Sequence, residues 1–217
     1  MFPTAGGDAE EIERWLVIRV LQPLIDAGRI KVYSCDSIAG QVWLAQEGSI
    51  GYRMSMMNRF QEYVRHEVVP AVHNDCQNKD LALWVTGASI GALHAVAMVC
   101  RYPDVFHRAL AMSGTYDMMR FCETDEYTKE YHLAAPTRFV PYLAEDSKQL
   151  ALLRERFILF ASGAGRAESM KDTWEMANIL GRRRIPNRVD PWGEDWHHDW
   201  PTWRAMLPRY LGEWTSE

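Results

Sequence analysis

The chain has 217 residues, of which 47% are hydrophobic and 24% are charged, a composition typical of a single folded domain with one core. Its formal net charge of −5 argues against a nucleic-acid surface or a surface for anionic membranes. No apolar run approaches the length of a membrane span, and the first residues lack the basic start and apolar core of a signal peptide, so we expect a cytoplasmic protein.

Helical and strand patterns alternate along the chain. The first part predicts, in order, a helix over residues 8–28, a short strand over residues 30–34 ("IKVYS") and a helix over residues 53–74 that Pro70 kinks. The remainder predicts strands within residues 81–85, 107–113, 156–162 and 185–192, and helices over residues 90–101, 168–181 and 201–211. Such alternation favours a three-layer α/β domain with a mostly parallel sheet.

The domain organisation is simple. No repeat or linker divides the sequence, so residues 1–217 are expected to form one domain. Residues 115–150 are mixed in polarity and have no clean period. We interpret them as an excursion that could form a small cap over the site.

The segment "LALWVTGASIG" carries the clearest chemical signal. An apolar run leads through Gly87 and Gly91, which flank Ser89, into a helix. A nucleophilic serine needs this tight strand-to-helix turn, because the turn lifts its hydroxyl above the sheet edge, and only glycine fits at the two flanking positions. The helix N-terminus favours negative charge, and the amide of Ile90 would be one oxyanion donor. The alternative interpretation is an ordinary glycine-rich turn.

Three segments resemble the esterase D-like branch of the α/β-hydrolase superfamily. They are "TGASIGALHAVAMVCRYPDVFHRALAMSGTYDM", the C-terminal "WGEDWHHDWPTWRAMLPRYL" and the opening "FPTAGGDAEE". The resemblance implies a three-layer α/β-hydrolase fold and a serine hydrolase. It also implies that the opening residues are the oxyanion loop, with the second amide near Ala5 and close backbone approach at Gly6 and Gly7.

One feature departs from that branch. Its oxyanion loop follows several strands, whereas here the corresponding residues are 2–7. Either the chain starts late or this variant has dispensed with those strands, and the sequence leaves both alternatives open. In either case we expect a sheet without its early edge strands, which would expose apolar surface and favour a partner or a homo-oligomer.

A serine hydroxyl becomes a nucleophile when an imidazole removes its proton, and a carboxylate orients that imidazole. Chain order in this superfamily, serine then acid then histidine, favours His197 or His198 among the seven histidines. The "H-D-W-x-x-W" phrase of the resemblance selects His198 as the base and leaves His197 as a polar loop residue. A metal role for "HHD" is disfavoured, because three consecutive side chains diverge.

The acid is expected after the strand "RFILFAS". Glu168 and Asp172 both follow it, and the resemblance favours Glu168. Asp190, at the end of the last predicted strand, is a third alternative. The sequence leaves this choice open.

These residues predict a serine esterase that cleaves a small carboxylic ester through an acyl-enzyme and needs no cofactor. Two alternatives remain. The same triad could transfer the acyl group to another alcohol, or the scaffold could be a non-catalytic binding or assembly module. The tryptophans of the last 26 residues could line an acyl pocket or simply pack the terminal helix against the sheet; they are Trp192, Trp196, Trp200, Trp203 and Trp214.

Overall fold

The computed structural model describes residues 1–216, which form a parallel sheet between two layers of helices. The four strands follow one another in the sheet in chain order. They are β1 (Leu83–Ala88), β2 (Phe106–Met112), β3 (Phe157–Ser162) and β4 (Asn187–Pro191). All three pairings are parallel, as expected for strands joined by helical crossovers. The predicted α/β class is therefore confirmed.

Two apolar clusters hold the helical layers to the sheet. The helix that follows β1 covers one face of the sheet, together with helices from the first half of the chain and the helix before β4. The N-terminal and C-terminal helices cover the other face. The helices are α1 (Glu11–Arg14), α2 (Val17–Asp26), α3 (Ile38–Leu44), α4 (Ile50–Tyr63), α5 (Val69–Asp75), α6 (Ile90–Arg101), α7 (Lys129–Ala134), α8 (Pro136–Phe139), α9 (Lys148–Leu153), α10 (Met170–Arg182) and α11 (Trp200–Trp214). Within residues 1–216, no helix is both long enough and apolar enough to cross a bilayer.

The predicted first helix is broken in two. The chain leaves α1 and enters α2 through Leu16, whose φ of 59° is left-handed and interrupts the helical path.

The predicted helix over residues 53–74 is continuous in space but changes type, because a π-helical turn (Val64–Val68) separates α4 from α5 just before Pro70. That turn accommodates the missing amide hydrogen of Pro70.

The predicted strand over residues 30–34 is wrong, because the segment has no strand partner and lies outside the sheet. It lines a groove together with residues of β1, and Met1 and Phe2 line the same groove. Phe2 forms an isolated parallel bridge with Gly87, and its amide donates to the carbonyl of Thr86 over 2.8 Å. Within residues 1–216, β1 therefore pairs with β2 on one side and has the isolated bridge from Phe2 on the other.

Residues 115–150 leave the sheet after β2 and return to it at β3. They contain the 3-10 turns Met118–Phe121 and Val140–Tyr142, with α7 and α8 between them. Asp117 fixes the start of this excursion by accepting hydrogen bonds from Tyr131 (2.7 Å) and from Arg138. The excursion is therefore a set of short helices joined by a partly buried polar contact.

Candidate active site

Ser89 lies in a strained turn between β1 and α6. Its φ of 58° and ψ of −122° fall outside the regions that most residues with a side chain adopt, a conformation that marks functional positions. Its backbone amide donates to the carbonyl of Met112 on β2 over 3.0 Å, which holds the turn to the sheet. The side chain is partly exposed, and its hydroxyl makes no hydrogen bond with any other residue in the described part of the chain.

The two glycines around Ser89 are required by close backbone contacts. A Cβ on Gly87 would lie 2.5 Å from the carbonyl carbon of Gly91. A Cβ on Gly91 would lie 2.7 Å from the carbonyl oxygen of Pro3 and 2.8 Å from that of Phe2. The first contact keeps the turn tight, and the second packs the N-terminal loop against the start of α6.

The loop of residues 2–7 is anchored by a buried carboxylate. Glu11 is 3% exposed and accepts hydrogen bonds from the amide of Thr4 (2.9 Å) and from the hydroxyl of the same residue. Burial raises the pKa of Glu11 above its usual value, and the hydrogen bonds from Thr4 oppose that rise. The structure therefore places Ala5 and Gly6 in a loop that is fixed at Thr4, directly beside the first turn of α6.

Ile90 is the first residue of α6, so its amide belongs to the helix-terminal groups that have no acceptor within the helix. A partial positive charge at this end favours an anion. Ala5 is held from the other side, because a Cβ on Gly40 would lie 2.8 Å from the Cα of Ala5. The arrangement brings the two predicted oxyanion segments into one region of the structure.

Glu168 is brought to the carboxyl end of the sheet, where β1, β2 and β3 end side by side. Its carboxylate is 1% exposed. One oxygen accepts a hydrogen bond of 2.5 Å from the hydroxyl of Ser113, and the other accepts one of 3.2 Å from the hydroxyl of Ser162. The indole nitrogen of Trp203 in turn donates to the Ser113 oxygen over 2.9 Å. Charge-assisted hydrogen bonds of this kind compensate the cost of burying a carboxylate.

His198 is the histidine that faces this carboxylate. Its Nδ1 lies 3.6 Å from an oxygen of Glu168, within ion-pair range, and its ring packs edge-to-face on Trp203 with centroids 5.2 Å apart. The contact with Glu168 orients Nδ1 toward the acid and leaves Nε2 to face another group. No hydrogen bond joins Ser89 and His198 among the described residues, and catalytic contacts are often long without substrate.

The neighbouring histidine has a different role. Nδ1 of His197 accepts a hydrogen bond of 3.1 Å from the amide of Arg166, and a Cβ on Gly165 would lie 2.2 Å from that nitrogen. His197 therefore braces the loop between β3 and α10. Because that loop also carries Glu168, both histidines of the loop between β4 and α11 contact it, His197 through the amide of Arg166 and His198 through the carboxylate of Glu168.

The other predicted acids lie away from His198. Asp172 is paired with Arg120 at the start of α10. Asp190 lies 3.1 Å from the guanidinium of Arg188 on β4. Of the three carboxylates considered from the sequence, Glu168 is the one placed against the imidazole.

The sequence analysis did not identify the roles of three residues in this region. They are Glu11, Ser113 and Trp203, the last in its role as a hydrogen-bond donor. The sequence gives no sign of the role of Glu11, because an acidic residue is common near the start of a helix. Ser113 is the first residue after β2, and its φ of 47° marks a strained position. The pairing of Trp203 with Ser113 joins residues 90 positions apart, a separation that no local pattern reveals.

The described residues contain no cluster of three or more histidine, cysteine or acidic side chains suited to a metal ion. The four cysteines are free thiols.

A groove of about 440 Å³ lies along the edge of β1, but Ser89 does not line it, so it is separate from this site.

Comparisons with known proteins place this chain in a family. The sequence profile described as "Putative esterase" matches residues 48–213. This chain belongs to the Esterase family. It is therefore an esterase, which confirms the enzyme class expected from the sequence. A search of curated proteins by sequence finds no match.

Solved structures show the same fold at low sequence identity. A ferulic acid esterase is 19% identical with a TM-score of 0.68, over 97% of this chain and 81% of its own. The S-formylglutathione hydrolase FrmB from Staphylococcus aureus is 16% identical with a TM-score of 0.66, over 100% and 79%. FphF, a fluorophosphonate-binding serine hydrolase of the same organism, is 14% identical with a TM-score of 0.64, over 100% and 82%. The α/β-hydrolase fold is thus confirmed.

Proposed function

We propose that this esterase cleaves carboxylic esters through an acyl-enzyme, with Ser89 as the nucleophile, His198 as the general base and Glu168 as the acid. The observation that carries the proposal is the chain of contacts from the strained Ser89 turn to the buried acid. Ser89 and Ser113 follow adjacent strands, Ser113 donates to Glu168, and Glu168 faces His198. Membership of the Esterase family supports the same reaction.

In the first half of the reaction, the Ser89 oxygen attacks the ester carbonyl while Nε2 of His198 takes the serine proton. The amides of Ile90 and Ala5 stabilise the tetrahedral oxyanion. His198 then gives its proton to the departing alcohol, which leaves Ser89 acylated. In the second half, His198 takes a proton from water, the hydroxide attacks the acyl carbonyl, and the carboxylic acid is released as Ser89 recovers its proton. Glu168 stays ionised throughout and stabilises the imidazolium.

Hydrolysis is favoured over transfer to a second alcohol by the exposure of the base. The side chain of His198 is 23% exposed, so water reaches the group that activates it. An acyltransferase would need to keep that water out.

We also propose that residues 115–150 form a small cap within the single domain, because the excursion leaves the sheet directly after Ser113, beside the acid.

The test is a pre-steady-state measurement of p-nitrophenol release from a short-chain ester. Wild type should give a burst equal to the enzyme concentration, and Ser89→Ala should give none. Ser55→Ala is a matched control, because Ser55 lies on α4 and donates to the carbonyl of Tyr52, away from the site. Labelling with a fluorophosphonate, as the similarity to FphF suggests, should follow the same pattern.

Each result has a defined meaning. Equal slow rates in wild type and Ser89→Ala, with no fluorophosphonate label, would refute Ser89 as the nucleophile and favour the binding-module alternative. A burst that is followed by faster turnover in the presence of an added alcohol, with the ester of that alcohol as the product, would favour acyl transfer.

A further inference from the structure

Arg53, on the first turn of α4, is a partly buried cation that the mechanism does not use. In the described part of the chain, four arginines have a buried Nε with no hydrogen-bond partner; they are Arg53, Arg138, Arg183 and Arg188. The last three also donate through another nitrogen to a carboxylate or a carbonyl. The guanidinium of Arg53 has no acceptor among residues 1–216. Because a buried donor without an acceptor is unfavourable, we look for a ligand that supplies one.

The ring of Trp43 holds this guanidinium. Trp43 lies on α3 and is 6% exposed, and its ring centroid is 5.4 Å from the central carbon of the Arg53 guanidinium. Such a cation–π contact attracts the charge but gives its N–H groups no oxygen to bind. The indole N–H of Trp43 is also buried without an acceptor in residues 1–216. Two neighbouring donors of this kind suit a group that only accepts hydrogen bonds, and a carboxylate is such a group.

One side of the contact between Trp43 and Arg53 is built on the loop of residues 2–7. A Cβ on Gly40 would lie 2.8 Å from the Cα of Ala5, so α3 is pressed closely against that loop. Trp43 follows Gly40 by three residues and therefore lies on the same side of α3. The indole is thus placed by the segment that we expect to carry the second oxyanion amide.

The other side is built on the excursion of residues 115–150. The amide of Thr128 donates to the sulfur of Met54 over 3.5 Å, which holds the excursion against the first turn of α4. Burial raises the pKa of the Cys122 thiol, also in the excursion, and the nearby charge of Arg53 opposes that rise. Arg53 therefore lies between α3 and the excursion.

Ser89 lies where these two sides meet. A Cβ on Gly91 would lie 2.7 Å from the carbonyl oxygen of Pro3, in the loop, and the amide of Thr115, at the start of the excursion, donates to the carbonyl of Ser89 over 3.4 Å. The loop and the excursion both contact the Ser89 turn, and Arg53 lies between elements that are fixed to them. A substrate held at Ser89 that extends between these elements approaches the guanidinium.

We propose that Arg53 selects substrates that carry a carboxylate, which its N–H groups bind while the ester carbonyl lies at Ser89. This inference rests on the proposed function, because it assigns the substrate class of the same site. The carboxylate belongs either to the acyl half, as in a half-ester of a dicarboxylic acid, or to the alcohol half. Both sources place the same anion against the same guanidinium, and the experiment distinguishes them.

The experiment compares kcat/KM within two pairs of esters. The acyl pair is p-nitrophenyl hydrogen adipate and p-nitrophenyl hexanoate, which share the leaving group and the chain length. The alcohol pair is the butyrate esters of 4-hydroxyphenylacetic acid and of 4-ethylphenol, which share the acyl group. Wild type should prefer the acidic ester of one pair by at least about tenfold, as expected for charge-assisted hydrogen bonds. Added salt should reduce that preference.

Variants of Arg53 test which group binds the carboxylate. Arg53→Gln should bring the ratio of kcat/KM between the acidic and the neutral ester close to one, mainly through a higher KM for the acidic ester. Arg53→Lys keeps the charge but loses the planar fork, so it should keep part of the preference. Arg59→Gln is the matched control, because Arg59 is an exposed arginine of the same helix, and it should keep the wild-type ratio. Each ratio is taken within one variant, so a partial loss of folded protein does not change it.

Failure of this inference can be told apart from failure of the proposed function. A p-nitrophenol burst with the hexanoate ester, together with a wild-type ratio near or below one in both pairs, would keep Ser89 as the nucleophile and overturn the role of Arg53. A full preference in Arg53→Gln would also overturn it, because another group would then bind the carboxylate. No burst with either p-nitrophenyl ester would refute the nucleophile, and this inference with it.

Discussion

Replacement of Ser113 by alanine tests whether the buried network around Glu168 is what holds the acid in place. The hydroxyl of Ser113 donates to Glu168 over 2.5 Å and accepts from Trp203 over 2.9 Å. The variant removes one hydrogen bond to a carboxylate, worth about 1.5–3 kcal/mol, and leaves the buried indole N–H unpaired at a further cost of about 1–3 kcal/mol. Because the site can relax in part, we expect a loss in the free energy of unfolding of about 2–4 kcal/mol.

The comparison variant is Ser162→Ala. Ser162 donates to the other oxygen of the same carboxylate, but over 3.2 Å and with no second partner, so its loss should cost only about 1 kcal/mol. Urea unfolding followed by tryptophan fluorescence measures both variants. At about 2–4 °C for each kcal/mol in a chain of this size, the thermal midpoint of Ser113→Ala should fall by about 4–16 °C.

Catalysis supplies the second measurement on the same variants. A misplaced Glu168 orients His198 less well, so kcat of Ser113→Ala should fall by about tenfold or more while KM stays near the wild-type value. Trp203→Phe removes the same hydrogen bond from its other end, and the double variant should lose less than the sum of the single losses. If Ser113→Ala kept wild-type stability and kcat, the network would have no role in holding the acid, and this reasoning would be refuted.

Three further predictions follow from the site and from the core. Glu168→Gln should lower kcat by about 10³–10⁴ with little change in KM, measured on the same ester, and a loss smaller than tenfold would point to another acid. His198→Ala should abolish the burst, whereas His197→Ala should keep it and lower only the thermal midpoint, because His197 braces a loop; equal loss in both variants would contradict the assignment. Burial lowers the pKa of His94 from 6.5 to about 3, so the stability due to its neutral form is complete above pH 6.5 and is lost as the pH falls toward 3, by at most about 4–5 kcal/mol. Urea midpoints measured between pH 7 and 4 should fall more steeply in wild type than in His94→Gln, and parallel curves would show that other groups dominate.

The elements that the sequence predicted well are those whose signal is local. The apolar run of β1, the glycines around Ser89 and the amphipathic helix after it are contiguous, and the turn conformation depends on contacts among these same residues. The strands β2 and β3 also contain contiguous apolar runs, whereas β4 is short and largely polar, and the order of the strands in the sheet follows the order of the chain. A pattern within a few residues is enough to specify such elements.

The features that the sequence analysis predicted wrongly or missed depend on contacts between residues that are distant in the sequence. Residues 30–34 have strong β propensity, yet a strand needs a partner, and this segment is separated from β1 by a groove that both of them line. The break at Leu16 likewise has no local signal, and the helix that follows it, α2, packs against α11 far along the chain. Glu11 and Ser113 acquire their roles from Thr4 and Glu168, which no spacing rule connects to them.

The hydrogen bond from Trp203 to Ser113 also affects the stage of synthesis on the ribosome at which the chain gains esterase activity. The strands add to the sheet in the order in which a ribosome makes them, so most of the sheet can assemble while the chain is still growing. The hydroxyl of Ser113 that donates to the acid, however, receives its own hydrogen bond from Trp203 only after α11 has emerged and docked, and the imidazole beside the acid packs on the same indole. Esterase turnover by a nascent chain therefore reports the docking of its final helix, and a chain that stalls before residue 203 carries the nucleophile turn without a competent acid and base.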